Sequence, residues 1–282
     1  MFVAVPLLLV VAFIWLPTLA CVALSFTRWD GIGGLADIQW VGLRNYEDLF
    51  VGQPAFGRAL HNNVAWLLVL VLLATPLGIL FAVLLDRRLR GSAFYQSALY
   101  MPVVLSLALV GFIWQLQYSP EQGFINNLLG TNRQDNLIDW LGNRDINIWA
   151  VLVAAGWRHV GYITLIYLAG LRSVDPTLRE AAAIDGAGEW QAFRRVTWPV
   201  MRPINVVIVV VTVIEALRAF DIVYVINRGQ NGLELLSVLV ANSILAEAGR
   251  IGYGSAVATV LLTMSLVPIL LYMRRAFRQD AA

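Results

Sequence analysis

Arg158 and His159 interrupt one apolar stretch of this 282-residue chain, and Glu215, Arg218 and Asp221 interrupt another. Charges so deep in apolar sequence are costly in a bilayer, and they face a bundle interior or a water-filled cavity. At about 100° per residue, Glu215, Arg218 and Asp221 fall within an arc of about 120° on one helix. Three uses fit these residue types. Arg158 paired with Glu215, or Arg218 with Glu215 one turn away, would lock helices together. The Glu215 and Asp221 carboxylates would serve as proton carriers in an ion-coupled secondary transporter. Arg158 and Arg218 would neutralise a phosphate or carboxylate, although Glu215 and Asp221 already offer them partners. His159 also has a structural reading, as a buried, hydrogen-bonded imidazole. Enzyme chemistry is not expected. The single cysteine, Cys21, lies in an apolar run, the two histidines, His61 and His159, are far apart, and no H-E-x-x-H or G-x-S-x-G pattern occurs. No metal site is expected, and without a G-x-x-x-x-G-K-[ST] motif this chain is expected to hold no cofactor of its own.

Long helices must position these residues. The chain is 59% hydrophobic and 13% charged, against about 25% charged in soluble domains. Six apolar runs approach the roughly 20 residues a spanning helix needs: 2–27, 63–86, 95–118, 148–172, 204–226 and 254–274. In lipid each must satisfy its own backbone groups and is therefore helical. The expectation is an all-α, polytopic membrane protein of six spans, with residues 1–282 forming one domain. The first run has neither a charged leader nor an A-x-A site before a soluble domain, so it reads as a retained span. All 20 basic residues are arginine, and the net charge of +2 gives no argument for nucleic acid.

The arginines set the expected orientation. Arg87, Arg88 and Arg90 crowd the second connection; Arg172, Arg179, Arg194, Arg195 and Arg202 crowd the fourth; Arg274, Arg275 and Arg278 end the chain. The connections 28–62, 119–147 and 227–253 are poorer in arginine and diluted by acids. Both termini are therefore expected in the cytoplasm. Trp29, Trp40, Trp140 and Trp149 fit the outer interfacial belt.

The connection at about 174–203 has internal order. Asp175-Pro176 stops the fourth helix. Thr177, with Glu180 three positions on, has the spacing of a capping box. Ala181, Ala182 and Ala183 keep the new helix narrow, and Gly186 and Gly188 end it. From Trp190 to Thr197 an amphipathic stretch follows, with Trp190, Phe193 and Val196 as its apolar stripe. Trp198-Pro199 then redirects the chain.

Residues 180–203, EAAAIDGAGEWQAFRRVTWPVMRP, resemble the "EAA" coupling loop of ABC importer permeases. The matching positions are Glu180, Ala181, Ala182, Asp185, Gly186, Ala187, Phe193, Pro199 and Pro203. Residues 40–46 resemble that family's "VGLxNY" stretch. Gly123, Asn126 and Leu129 resemble its "GxxNxxL". Residues 220–232 resemble its "FDxxYxLTxGGP", from which Arg228 and Gln230 depart. The chain is similar to the maltose-type, carbohydrate-uptake branch over nearly its whole length.

The resemblance implies a type I importer permease in a bacterial cytoplasmic membrane, with a coupling helix seated in a cytoplasmic ATPase subunit. It implies a second, homologous permease subunit, two ATPase subunits that bind ATP and Mg, and an extracytoplasmic solute-binding protein. It also implies a substrate path through the helices flanking the loop, at Trp157, Arg158, His159 and Tyr162 on one and Thr212 and Glu215 on the other. Aromatic faces and hydrogen-bonding groups there suit a carbohydrate substrate. The alternative cargo is a glycerophosphodiester or an acidic sugar. An ion-coupled transporter is opposed by the coupling loop and by the lack of an inverted repeat.

Overall fold

The computed structural model describes residues 3–32, 34–87, 91–131, 136–246 and 249–278. Its main helices are α1 (Ala4–Leu24), α2 (Pro54–Asp86), α3 (Ser92–Val104), α4 (Leu107–Gln117), α5 (Asn147–Ser173), α6 (Pro176–Ile184), α7 (Arg202–Leu217), α8 (Asp221–Asn227), α9 (Leu236–Leu245) and α10 (Ile251–Arg278). A short antiparallel pair, β1 (Thr27–Arg28) and β2 (Gln39–Trp40), lies in the first connection. Arg88 and Arg90, counted above for orientation, fall outside the described residues, as do the side chains of Arg275 and Arg278.

Among the described residues, α1, α2, α5 and α10 are each long and apolar enough to cross a membrane. The other two expected spans are not single helices. Run 95–118 is the pair α3 and α4, bent by 104°. Leu105 turns extended, and the Ser106 hydroxyl then caps α4 by accepting the Leu109 N–H at 3.2 Å. Run 204–226 is broken at Arg218–Phe220 into α7 and α8. Neither proline nor glycine stands at that break. The carbonyl of Ala219, freed from the helix, accepts the hydroxyl of Ser237 instead, which meets the requirement that no backbone group stay unpaired away from water. Asp221 in the first turn of α8 suits the positive end of its dipole. The expected polar face of Glu215, Arg218 and Asp221 on one continuous helix is therefore corrected, because the break re-aims Asp221.

Three prolines leave a common trace. Leu16, Thr75 and Trp198, each just before a proline, donate to the carbonyl five residues back. Proline has no N–H and clashes with the carbonyl four back, and a wide π turn ahead of it relieves both problems without ending the helix.

Helix α5 is the central pillar, with Val151, Ala154, Ile163 and Tyr167 fully buried, whereas α1 has no buried residue. One half of α5 packs Val151, Leu152 and Ala155 against Trp66, Leu70, Val110 and Ile222. Its other half packs Ile163, Tyr167 and Leu171 against Ala82, Leu85, Met201 and Ile208. Small residues let these backbones approach. A Cβ at Gly78 would stand 2.7 Å from Ile163 Cβ, and one at Gly161 would overlap the Leu99 carbonyl. Asparagines anchor the connections at the end away from α6. Asn45 is buried and donates to the Ser25 and Thr27 carbonyls at 2.8 and 2.9 Å. Asn126 donates to Pro120 and Ile138 and accepts Trp140 Nε1 at 2.7 Å. The departure at 228–230 is absorbed by left-handed backbone at Arg228 and Asn231, with φ of 56° and 54°.

Candidate functional site

Two constructions stand out: a capped helix outside the bundle, and a polar layer within it.

The capped helix is α6. Asp175, not Thr177 as the spacing suggested, is its N-cap: Asp175 Oδ1 accepts the Thr177 N–H at 2.9 Å, with Pro176 at the first helical position. Proline there lacks an N–H that would have been unpaired anyway. The Thr177 amide holds the Asp175 carboxyl below its usual range. Because its folded pKa is depressed, the charged cap contributes at neutral pH and is lost as pH falls through that lowered value. At the other end Gly186 has φ +80°. The Ala187 N–H reaches the Ala182 carbonyl at 3.0 Å and the Gly186 N–H the Ala183 carbonyl at 3.1 Å. Those two bonds make a Schellman cap. Both ends of a nine-residue helix are thus closed by local chemistry.

Ala182 is buried, while Glu180, Ala181 and Asp185 are exposed, and Ile184 is 86% exposed. Ala187 is half-buried. After the cap, residues 189–200 run as one irregular helix. Phe193 stacks with Trp190 at 5.8 Å and meets Trp198 edge-on at 6.0 Å, and Trp198 lies 6.2 Å from Tyr167 of α5. Phe193 thus joins the loop to the bundle, and Pro199 follows at the exposed turn into α7. The expected loop residues Glu180, Ala181, Ala182, Asp185, Gly186, Ala187, Phe193 and Pro199 form one contiguous structure.

The polar layer is only partly what the spacing suggested. His159 is buried, with Nε2 3.2 Å from both Thr75 Oγ1 and Thr212 Oγ1. The two hydroxyls are themselves 3.2 Å apart. This closed triangle ties α2, α5 and α7 together, so His159 and Thr212 sit inside the packing. Arg158 and Glu215 do meet, Nη1 to Oε2 at 3.7 Å, with side chains 20% and 40% exposed. At that separation the pair is loose, and Arg158 Nε is buried without a hydrogen-bond partner. Tyr162, one turn from Arg158, is half-buried against the cluster around Tyr167.

Trp157 points elsewhere. It meets Trp114 edge-on at 5.9 Å and lines an apolar cleft of about 500 Å³ with Leu73, Leu77, Trp149 and Val153. Trp157 therefore does not share a surface with Glu215. A groove of about 710 Å³ opens at the break between α7 and α8, lined by Arg218, Phe220, Asp221, Ser237 and Ile244. Phe220 and Tyr224 stack at 4.9 Å beside it.

Thr75, Asp86 and Ser237 had no distinctive setting in the sequence. Asp86 carried the faintest signal, as an acid at the end of an apolar run just before an arginine cluster.

Comparison with known proteins bears on the whole chain. Residues 74–281 match the family model described as "Binding-protein-dependent transport system inner membrane component". The chain is 33% identical to the xylose/arabinose import permease protein XacH of Haloferax volcanii, over 91% of this chain and 81% of that protein. It is 32% identical to the trehalose/maltose transport system permease protein MalF of Thermococcus litoralis, over 98% of this chain and 92% of that one. Its fold is similar to a chain in the crystal structure of a bacterial ABC transporter involved in the import of the acidic polysaccharide alginate. The TM-score there is 0.81 at 21% identity, covering 98% of this chain and 94% of that one.

Proposed function

Since this multi-pass chain belongs to the inner membrane components of binding-protein-dependent transport systems, we propose that it is a permease subunit of an ATP-driven importer of a sugar or oligosaccharide. Support for the cargo comes from relatives named for xylose/arabinose, trehalose/maltose and arabinooligosaccharide transport. The single observation that carries the mechanism is α6. It is capped at both ends, yet it leaves Ile184, Glu180 and Asp185 uncovered. A helix closed by its own caps and standing outside the bundle, with Ile184, Leu178 and Trp190 all exposed on the same loop, offers a surface to a partner. That partner is an ATPase subunit, which binds ATP and Mg and drives α6. A second permease subunit completes the path, and a solute-binding protein delivers the cargo on the opposite side.

In this reading the path runs beside Arg158 and Glu215 toward the groove at the α7–α8 break, where Arg218, Asp221 and the Phe220–Tyr224 stack offer hydrogen-bonding groups and an aromatic face. A sugar held by such groups binds weakly enough to leave inward. Tyr162 borders this path, and Trp157 serves it only from the far face of α5.

The test is uptake of radiolabelled xylose, arabinose, maltose and trehalose in cells with and without the chain. Uptake should depend on ATP and survive a protonophore; loss with the protonophore would favour an ion-coupled transporter. Within that assay Glu215→Gln is expected to slow uptake several-fold with the complex assembled, because removing one charged hydrogen-bonding partner costs about 1–3 kcal/mol. His159→Leu is expected to reduce assembly instead, because it opens the triangle and leaves the Thr75 and Thr212 hydroxyls with only each other. The reverse assignment of the two effects would move the path.

Both termini and α6 are proposed to be cytoplasmic. With Cys21→Ser as background, a cysteine at Ile184 should be labelled by a membrane-impermeant maleimide only after permeabilisation. One at Asn136 should be labelled from outside. The opposite pattern would overturn the orientation and the ATPase dock with it.

A further inference from the structure

Helix α6 is joined to α5 by only Val174 and Asp175, both with extended backbone, at ψ of 130° and 122°. Two such residues form a hinge, about which a displaced α6 would swing without moving the bundle. What opposes that swing is Arg179, one turn into α6. Its Nη1 donates to Asp86 Oδ2 at 2.6 Å, and its Nη2 to the Leu171 carbonyl at 3.3 Å. Asp86 is the last residue of α2, and Leu171 lies in the final turn of α5. One guanidinium therefore ties α6 to two other helices, α2 and α5.

Among the described residues, little else does so at this place. A cavity of about 290 Å³ lies on one side, lined among others by Val83, Ala183, Ala187 and Phe193. One of about 740 Å³ lies on the other, lined among others by Ser92, Val174 and Glu180. Asp86, Leu171 and Arg179 line both, so they form the thin partition between two hollows. A second link, Arg87 to Glu189 at 2.8 Å, joins the same two regions, but its side chains are 54% and 80% exposed. Exposed pairs are screened and hold little. The Arg179 and Asp86 side chains are 37% and 18% exposed, each less than either residue of the second link, and Arg179 spends two donors in a fixed fork.

Resting on the proposed docking role of α6, we infer that Asp86 and Arg179 are positioning residues for coupling. They make the hinge at Val174–Asp175 a rigid elbow, so that force on α6 moves α2 and α5 together. Charge at this pair, rather than apolar packing, carries the motion to α2, which has no covalent link to α6.

The experiment uses the whole importer, purified with its ATPase subunits and reconstituted in lipid vesicles. Spin labels are placed by Val83→Cys and Ala187→Cys in the Cys21→Ser background, and ATP with orthovanadate is the probe. The parent complex should give one narrow distance population with and without the probe. Asp86→Ala or Arg179→Ala should keep ATP hydrolysis but add a second, longer population when the probe is present. The charge-swapped pair, Asp86→Arg with Arg179→Asp, should restore one population, and Arg87→Ala should leave it unchanged.

Single variants indistinguishable from the parent, or a swap no better than the singles, would overturn the inference. So would complexes that fail to assemble in both singles, which would assign the pair to folding alone. Failure of the docking role is separable. It would leave ATP hydrolysis unchanged by Gly186→Pro, whereas failure of the elbow alone leaves Gly186→Pro damaging and the Asp86 and Arg179 variants silent.

Discussion

Gly186→Pro will abolish the coupling of ATP hydrolysis to transport while leaving the chain inserted and folded. Gly186 has φ +80° and its N–H closes the Ala183 carbonyl. Proline is held near −65° and has no N–H, so both halves of the Schellman cap fail and the last turn of α6 unwinds. No heavy atom lies within 4 Å of a Cβ built at Gly186, so the damage stays local to an exposed cap. Gly186→Ala separates conformation from shape. It adds only a methyl group but must adopt the left-handed region at about 1–2 kcal/mol, so it should lower coupling partially. The measurement is ATP hydrolysis by the reconstituted complex with and without sugar-loaded binding protein. Stimulation at the parent level in Gly186→Pro would refute the role of α6.

Gly161→Val will have a larger effect of the opposite kind: the chain should fail to accumulate in the membrane. A Cβ at Gly161 would overlap the Leu99 carbonyl oxygen and stand 3.0 Å from Val103 Cγ2. Backbone oxygen cannot rotate away, so α3 would have to separate from α5, the pillar of the bundle. Overpacking costs about 1–3 kcal/mol even where side chains can yield, and here the listener is rigid backbone in both helices. Gly156→Val, on the same helix with open space at its Cβ, should accumulate normally. Membrane yield and thermal melting of the two variants in detergent give the comparison. Equal yields would mean that the α3–α5 crossing is not needed for the fold.

Much of this was legible in the sequence. Apolar runs of spanning length announce helices because lipid leaves the backbone no other way to satisfy its N–H and C=O groups. The capped helix α6 was legible because Pro176, the alanines and Gly186 act through local backbone geometry, which depends on residue type and near neighbours. The N-cap was misassigned by two residues: Asp175 and Thr177 are both competent caps, and only the path of the chain leaving α5 chooses between them.

The polar layer was the hard part. Residue types Arg158, His159, Thr212 and Glu215 at family spacing indicated that something polar lies in the bundle, and the structure does bring Arg158 to Glu215 and His159 to Thr212. Which groups face a cavity was not legible, because that depends on the rotation of α5 against α2 and α7. Thr75, contributed from α2, decides that His159 turns inward.

By itself, the sequence determined the helical class, four of the six expected spans as single helices and the capped element between α5 and α7, since each follows from short-range chemistry. Only the tertiary structure decided the 104° bend between α3 and α4, the break at Arg218–Phe220, the separation of Trp157 from Glu215, and the joining of Asp86 to Arg179 across 93 positions. The break, the separation and the joining depend on Ser237, Thr75 and Asp86, groups distant in the chain whose pairing exists only once the helices have packed.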